Sequence, residues 1–374
     1  MTAGPLRVAT VITRLAGGAG VLALRGAKAL DPATHQVAVI TGSGGLLPDA
    51  EAAGLEMIVE PALRAPISPG HDLLALHRLT TLLRRRRFDV VHTHCSKAGA
   101  LGRIAAHRAG VGRIVHTYHG FGFHEFQSGV RRRAYVEIER GLGRITDLAL
   151  CVGSGVAVEA LRRGLLAPDR IRTTGVAVDH DVPTRTARAR RRARQRLGLA
   201  PSDVVVGAVG RLTYQKAPED FVVALRALNR PGVVGVWIGD GELAEPMRAC
   251  VAASGARVVL AGERDDVAEL LPAFDVFALP SRYEGLPLAI VEAMVCGVPV
   301  VATAVNAVGD VVAPGETGLL VPPGRPELLA AAIAHLLDSP GVADRLATAA
   351  RARVDGCHRI EALAGALVEA YGAR

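Results

Sequence analysis

Val204-Val205-Val206-Gly207-Ala208-Val209-Gly210-Arg211-Leu212-Thr213-Tyr214-Gln215-Lys216-Ala217-Pro218 decides the fold class. An almost continuous apolar, β-branched run ends at a glycine, a polar loop follows, and a proline suited to the first turn of a helix closes the unit. A strand without polar alternation is buried on both faces, which is the habit of parallel sheets covered by helices. The same unit recurs on either side of it. Upstream, strands are predicted at residues 6–12, 36–41, 57–60, 88–94, 113–118, 147–152 and 171–174, with amphipathic stretches between them. In the second series they fall at 204–209, 233–238, 257–261, 276–279, 298–302 and 318–321. Strand and helix alternating from end to end predicts an α/β protein with doubly wound, Rossmann-like sheets.

The chain has 374 residues, more than one core usually organises, so two domains are expected. Their limits are read as 1–182 for the first, 183–200 for a linker and leading helix, 201–355 for the second, and 356–374 for a final helix packing back across the hinge. The linker is placed by its arginine-rich composition, which reads as a solvated face. Half of the residues are hydrophobic, which excludes global disorder. No apolar run reaches the ~20 residues of a membrane span and no secretory leader is evident, so a cytoplasmic protein is expected. The five cysteines are scattered, without a C-x-x-C pair, which disfavours a zinc knuckle or a disulfide framework. Net charge is +8, a sign compatible with nucleic acid, an anionic membrane or a phosphorylated small molecule. Aromatic residues make up only 3%, too few for the stacking platforms of single-strand binders, and no nucleic-acid partner is expected.

Strand-end loops carry the candidate chemistry, because doubly wound sheets bind phosphorylated ligands outside their strand C-termini, here expected in an interdomain cleft. Gly17-Gly18-Ala19-Gly20 follows the first strand and opens a helix, so its amides can approach an anion. A relaxed dinucleotide fingerprint is satisfied there, yet the ribose-binding acid expected about 20 residues later is missing. An NAD-linked oxidoreductase is therefore disfavoured. Arg211 and Lys216, after Gly210, place a planar fork and a point charge on one loop, a pairing suited to a diphosphate. Only three of the chain's 44 basic residues are lysine, which draws attention to Lys216. Ser281-Arg282-Tyr283-Glu284-Gly285-Leu286-Pro287 leads into another helix, where amides near Gly285 and Leu286 can meet an anion at the positive helix end, Pro287 suiting the first turn. Glu292 lies inside that helix on an apolar stretch, where sugar hydroxyls would be fitting donors. Asp240 and Arg264 sit on two further strand-end loops, with turn chemistry an equal reading for Asp240. Six of the twelve histidines fall between His92 and His124. His92 and His94 share a strand face and read as satisfied polar groups rather than metal ligands, whereas His119, flanked by Gly120, could reach a ligand.

G-R-L-x-x-Q-K-x-P at 210–218, the E-x7-E element from Glu284 to Glu292, and the upstream strings H-T-H-C-S-K-A-G and H-T-Y-H-G-F-G-F-H together resemble retaining family 4 glycosyltransferases of GT-B architecture. The resemblance runs through both halves in order. It implies that Arg211 and Lys216 hold the donor diphosphate, Glu292 the nucleotide ribose and Glu284 the donor sugar. Gly17 and Gly18 would approach the phosphate and transferring sugar, with His119 beside the reacting centre. It further implies a nucleotide-sugar substrate, UDP-linked by likeness to bacterial enzymes of polysaccharide or secondary-metabolite assembly. A hydroxyl acceptor, small or lipid-linked, would complete the reaction. Gly20 departs from the pattern, since many relatives carry a glutamate or glutamine after this glycine loop.

No D-x-D cluster stands near these motifs, and Asp265-Asp266 reads as a helix start, so no metal or other cofactor is expected. An epimerase or hydrolase of the same fold is the alternative. Residues 84–87 and 131–133 would serve contact with the inner membrane face if the acceptor is a lipid carrier, and equally fit charge complementation of helix ends.

Overall fold

A computed structural model describes residues 4–178 and 182–372. It divides into two compact units, Met1–Ala177 with Ile360–Arg374, and Val178–Arg359.

The first unit is built on seven parallel strands: β1 (Leu6–Arg14), β2 (His35–Ser43), β3 (Glu56–Val59), β4 (Val90–His94), β5 (Arg113–Tyr118), β6 (Leu148–Cys151) and β7 (Ile171–Thr173), in the order β3-β2-β1-β4-β5-β6-β7. Val8 of β1 pairs with Val37 on one side and Val90 on the other, so its apolar run is enclosed. Ala9, Val11 and Ile40 pack beneath Leu79, Leu83, Ala105 and Ala106 of the helices Pro69–Arg86 and Ser96–Ala109. On the opposite face Ile12 and Val39 meet Ala23, Leu24 and Ala27 of the helix Gly17–Ala29. The final helix, Ile360–Tyr371, lies against Gly17–Ala29. A Cβ added to Gly26 would stand 3.0 Å from the Leu367 Cδ1, so the glycine makes room for this approach.

Six parallel strands form the second unit: β8 (Val204–Val209), β9 (Val233–Ile238), β10 (Val258–Leu260), β11 (Val276–Leu279), β12 (Val300–Thr303) and β13 (Leu319–Val321), ordered β10-β9-β8-β11-β12-β13. Val206, Ala208, Phe221, Leu225, Trp237, Ala278, Val301 and Ile333 belong to its core. In both sheets the strand order reverses once, between β1 and β4 and between β8 and β11, and such reversals open crevices at strand C-termini.

Some strand limits differ from the sequence reading for local reasons. At residues 88–94 the strand starts only at Val90, because the Asp89 carboxylate accepts from the Arg7 N–H at 2.8 Å. At 298–302 it starts at Val300, since the Val298 N–H closes the preceding helix on the Ala293 carbonyl and Pro299 has no N–H. The arginine-rich segment departs further. It forms the helix Ala187–Arg196, capped by the Thr186 hydroxyl, and is not simply a solvated face. Arg185, Arg190 and Arg194 converge on Asp275 at 2.7, 2.5 and 2.8 Å, so this segment is clamped to the second unit. No helix among the described residues is long and apolar enough to cross a membrane.

Candidate functional site

In the second unit two loops meet at the strand-order reversal. One follows β8 and carries Gly210, Arg211 and Lys216. The other follows β11 and carries Ser281 to Pro287. They are joined by hydrogen bonds from the Arg282 N–H to the Gln215 carbonyl, 2.8 Å, and from the Gln215 Nε2 to the Tyr283 carbonyl, 3.1 Å. Lys216 Nζ contacts the Glu284 Oε1 at 2.5 Å. The Ser281 hydroxyl donates to the same oxygen at 2.6 Å, while the Gln215 Nε2 donates to Oε2 at 3.2 Å. Asn306, from the loop after β12, accepts the Glu284 N–H through its Oδ1 at 3.2 Å. Glu284 is only 7% exposed, so its carboxylate oxygens are satisfied by these side-chain partners rather than by water. Gly210 is needed here: its φ is +157°, and a Cβ would stand 3.1 Å from the Lys216 Cε. Its carbonyl accepts from the Trp237 indole N–H at 2.8 Å, which fixes the loop to the core.

Pro287 occupies the position just before the helix Leu288–Cys296, one residue outside the first turn, and Gly285 and Leu286 are buried beside it. Glu292 is partly exposed between the buried Val291 and Ala293. Arg211 is exposed on its loop. Asp240 is a turn residue whose Oδ1 accepts from the Gly241 N–H at 2.7 Å and whose carbonyl accepts from the Leu212 N–H. Arg264 applies both arms of its fork to Asp266, at 2.8 and 2.7 Å, so within its own loop it is already paired. That pairing holds the Asp266 carboxyl below its usual range. Asp266 also precedes the short helix Val267–Leu270, in line with the helix start expected there.

The first unit presents a second group of residues at its own strand-order reversal. Gly17, with φ +63°, and Gly18 are exposed at the start of the helix after β1. Gly20 has a packing reason, since a Cβ there would come within 2.8 Å of the Leu15 carbonyl carbon. His119, just past β5, is partly exposed, and its Nε2 shares a hydrogen bond of 2.9 Å with the Nδ1 of His94. His92 bridges Tyr371 and Thr117 through Nδ1 and Nε2, at 2.8 and 2.7 Å. Burial lowers the pKa of His92 to about 3 and of His119 to about 4, and depresses His94 and His116 as well, so these rings are neutral. No group of three metal-ligating side chains occurs among the described residues.

Several participants escaped the sequence reading. Gln215 belongs to the 210–218 motif, whose composition alone assigns it no partner. Asn306 lies in the left-handed region at φ +44°, a conformation asparagine tolerates, and a lone Asn after a strand was the only available signal. Tyr371, 279 residues from His92, left no local trace.

Residues 203–339 match the family Glycosyl transferases group 1, and residues 16–182 match Glycosyltransferase Family 4. A UDP-Gal:alpha-D-GlcNAc-diphosphoundecaprenol alpha-1,3-galactosyltransferase of Escherichia coli is 34% identical over 66% of this chain and 65% of its own length, just under two thirds. A D-inositol 3-phosphate glycosyltransferase of Acidothermus cellulolyticus is 32% identical over 77% of this chain and 68% of its own length. The crystal structure of Anabaena HepE in complex with UDP and glucose superposes with a TM-score of 0.85, covering 97% of this chain and 98% of that one at 22% identity, a likeness of fold. With matches running through both units, the chain belongs to the family 4 glycosyltransferases and has their GT-B fold of two Rossmann-like units.

Proposed function

We propose that this chain is a retaining glycosyltransferase that moves a hexose or N-acetylhexosamine from a UDP-sugar to an acceptor hydroxyl in polysaccharide or secondary-metabolite biosynthesis. The observation that carries this reading is the Lys216–Glu284 pair at the strand-order reversal of the second sheet, where a cation and a buried carboxylate stand side by side. An ammonium has three N–H donors, and the one given to Glu284 leaves two for phosphate oxygens. Arg211 adds a second cation on the same loop, and the amides at Gly285 and Leu286 precede a helix. Together they would stabilise the charge that develops on the departing diphosphate. Glu284, with its other oxygen beside Gln215, would accept from sugar hydroxyls, and Glu292 from the ribose. Gly17, Gly18 and His119 are the corresponding groups of the first unit. The names of the galactosyltransferase relative and of the HepE complex support UDP as the carrier.

In this reading the acceptor hydroxyl attacks on the face from which the diphosphate leaves, and the anomeric configuration is kept. No metal is required, because Arg211, Lys216 and the amide dipoles supply the positive charge. The test uses UDP-sugars with a panel of acceptors in EDTA. Turnover that survives, with an α-linked product from an α-linked donor by proton NMR, is expected. A β-linked product, or activity abolished by EDTA and restored by a divalent ion, overturns the reading. An epimerase or hydrolase would act without any acceptor alcohol, which the same assay separates.

A cytoplasmic place at the inner membrane face goes with a lipid-linked acceptor. The galactosyltransferase relative's name specifies a diphosphoundecaprenol acceptor, and here Val130 and Ile138 are exposed beside Arg131, Arg132 and Arg133 on the helix Gly129–Gly143. Co-flotation with anionic but not neutral vesicles is the expected result.

A further inference from the structure

His119 does not stand alone on the loop after β5. Its Nε2 is committed to the Nδ1 of His94 at 2.9 Å, which leaves its Nδ1 as the nitrogen for a ligand. A neutral imidazole has one N–H and one bare nitrogen, so whichever partner occupies Nε2 decides whether Nδ1 donates or accepts. His94 is itself held from behind. Its ring packs against that of His92 at a tilt of 40°, with centroids 4.2 Å apart, and His92 is held at both nitrogens by the Thr117 hydroxyl and the Tyr371 phenol. Tyr371 comes from the last helix, Ile360–Tyr371, which packs on Gly17–Ala29, and it meets the His92 ring edge-on at 5.7 Å. Thus a row of side chains runs from the chain's end to the histidine at the strand-end loop: Tyr371, His92, His94, His119. His92, His94 and Tyr371 are buried, and His119 at the end of the row is partly exposed.

We propose that His94 is a positioning residue for sugar transfer: it orients His119 and couples that ring's tautomer to its own, and the Tyr371–His92 contact from the final helix holds His94 in place. The inference rests on the role proposed above for His119. Its structural part, however, can be read on the free protein without any sugar nucleotide.

The test is made on the full chain. Nitrogen-15 NMR of the ring nitrogens should show the tautomer balance of His119 shifted in His94→Leu relative to the native protein, while His94→Gln, which restores a hydrogen-bonding partner for Nε2, moves it back. In steady-state assays His94→Leu should lower kcat on the order of tenfold to a hundredfold, with the Kd for UDP changed less than about twofold. Tyr371→Phe, which keeps the ring and removes one hydroxyl, should reproduce the effect more weakly, and it serves with His94→Gln if His94→Leu does not fold. An unchanged His119 tautomer in folded His94→Leu overturns the proposal, as does a changed tautomer with unaltered kcat. If His119→Ala turns over at the native rate, the assignment of His119 fails instead, even where the tautomer responds to His94.

Discussion

Lys216 gives one of its donors to Glu284, and this single contact links the stability of the loop to its proposed chemistry. Lys216→Ala removes a cation whose attraction to the diphosphate grows as the leaving group gains charge, so kcat should fall on the order of a hundredfold while UDP-sugar affinity weakens far less. It also strands Glu284, only 7% exposed, without its cation, so the melting temperature should drop too. The double variant Lys216→Ala/Glu284→Gln is expected to regain stability but not turnover, and kinetics with calorimetric melting read the two apart. A recovery of kcat in the double variant would mean that Lys216 serves only the fold. Glu292 should behave otherwise. Its proposed contact is with the nucleotide, so Glu292→Ala should weaken free UDP and UDP-sugar alike, about tenfold or ~1.4 kcal/mol, whereas Glu284→Gln acts on the sugar-bearing ligand. Isothermal titration with both ligands checks the division, and equal losses of UDP affinity in the two variants would contradict it. Lysine's rarity made Lys216 conspicuous in the sequence, and the E-x7-E spacing did the same for the two glutamates. The contact between Lys216 and Glu284 spans 68 residues and follows only from the strand order, which places β8 beside β11.

At the level of elements, the strands were the most legible part of the chain. The strands Val204–Val209, Val233–Ile238 and Val276–Leu279 coincide with their apolar runs, because a strand enclosed on both faces has no polar alternation to blur its ends. Long-range charge pairing left no such trace. Residues 183–200 read as solvated because nothing local opposes their arginines, yet Asp275, about 80 to 90 residues later, gathers three of them. Asp275 also accepts the Val205 N–H at 2.8 Å, so it ties the start of β8 to the leading helix. Arg194 is the costly member, with a side chain 3% exposed, while Arg190 is 35% exposed. Asp275→Asn should therefore cost about 2–4 kcal/mol in denaturant unfolding, by leaving buried positive charge without a counter-ion. Arg190→Ala should cost under about 1 kcal/mol, the scale of a solvent-screened pair. Similar midpoint shifts for both would show that Asp275 acts through its backbone contact alone.

Across the whole molecule the two units differ in how acid should affect them. The histidine crowding between His92 and His124 was visible in the sequence, but which rings are buried and neutral depends on β4 and β5 lying side by side and on Tyr371 closing over them. His92, with its pKa lowered to about 3, and His119, lowered to about 4, stay neutral in the folded first unit, as do His94 and His116. In the unfolded chain each ring takes up a proton below about pH 6.5. The unfolded state then binds more protons, so stability is fully present above that pH and declines as pH falls towards 4. Each such histidine costs at most ~1.4 kcal/mol per pH unit below that point, so His119 alone should lower stability by about 2 kcal/mol at pH 5 relative to neutral pH. Carboxylates of the second unit run in a lower window. Asp203, held down by Arg257, and Asp266, held down by Arg264, lend stability that is present above about pH 4 and is lost only as pH falls further. Hydrogen exchange at pH 7.5 and pH 5, corrected for the intrinsic rate, should therefore show β4 and β5 losing protection while β8 and β11 keep theirs. His119→Gln carries no titrating proton and should recover part of the loss in β5. Equal loss of protection in both sheets at pH 5 would instead mean that the buried histidines are not what acid attacks first.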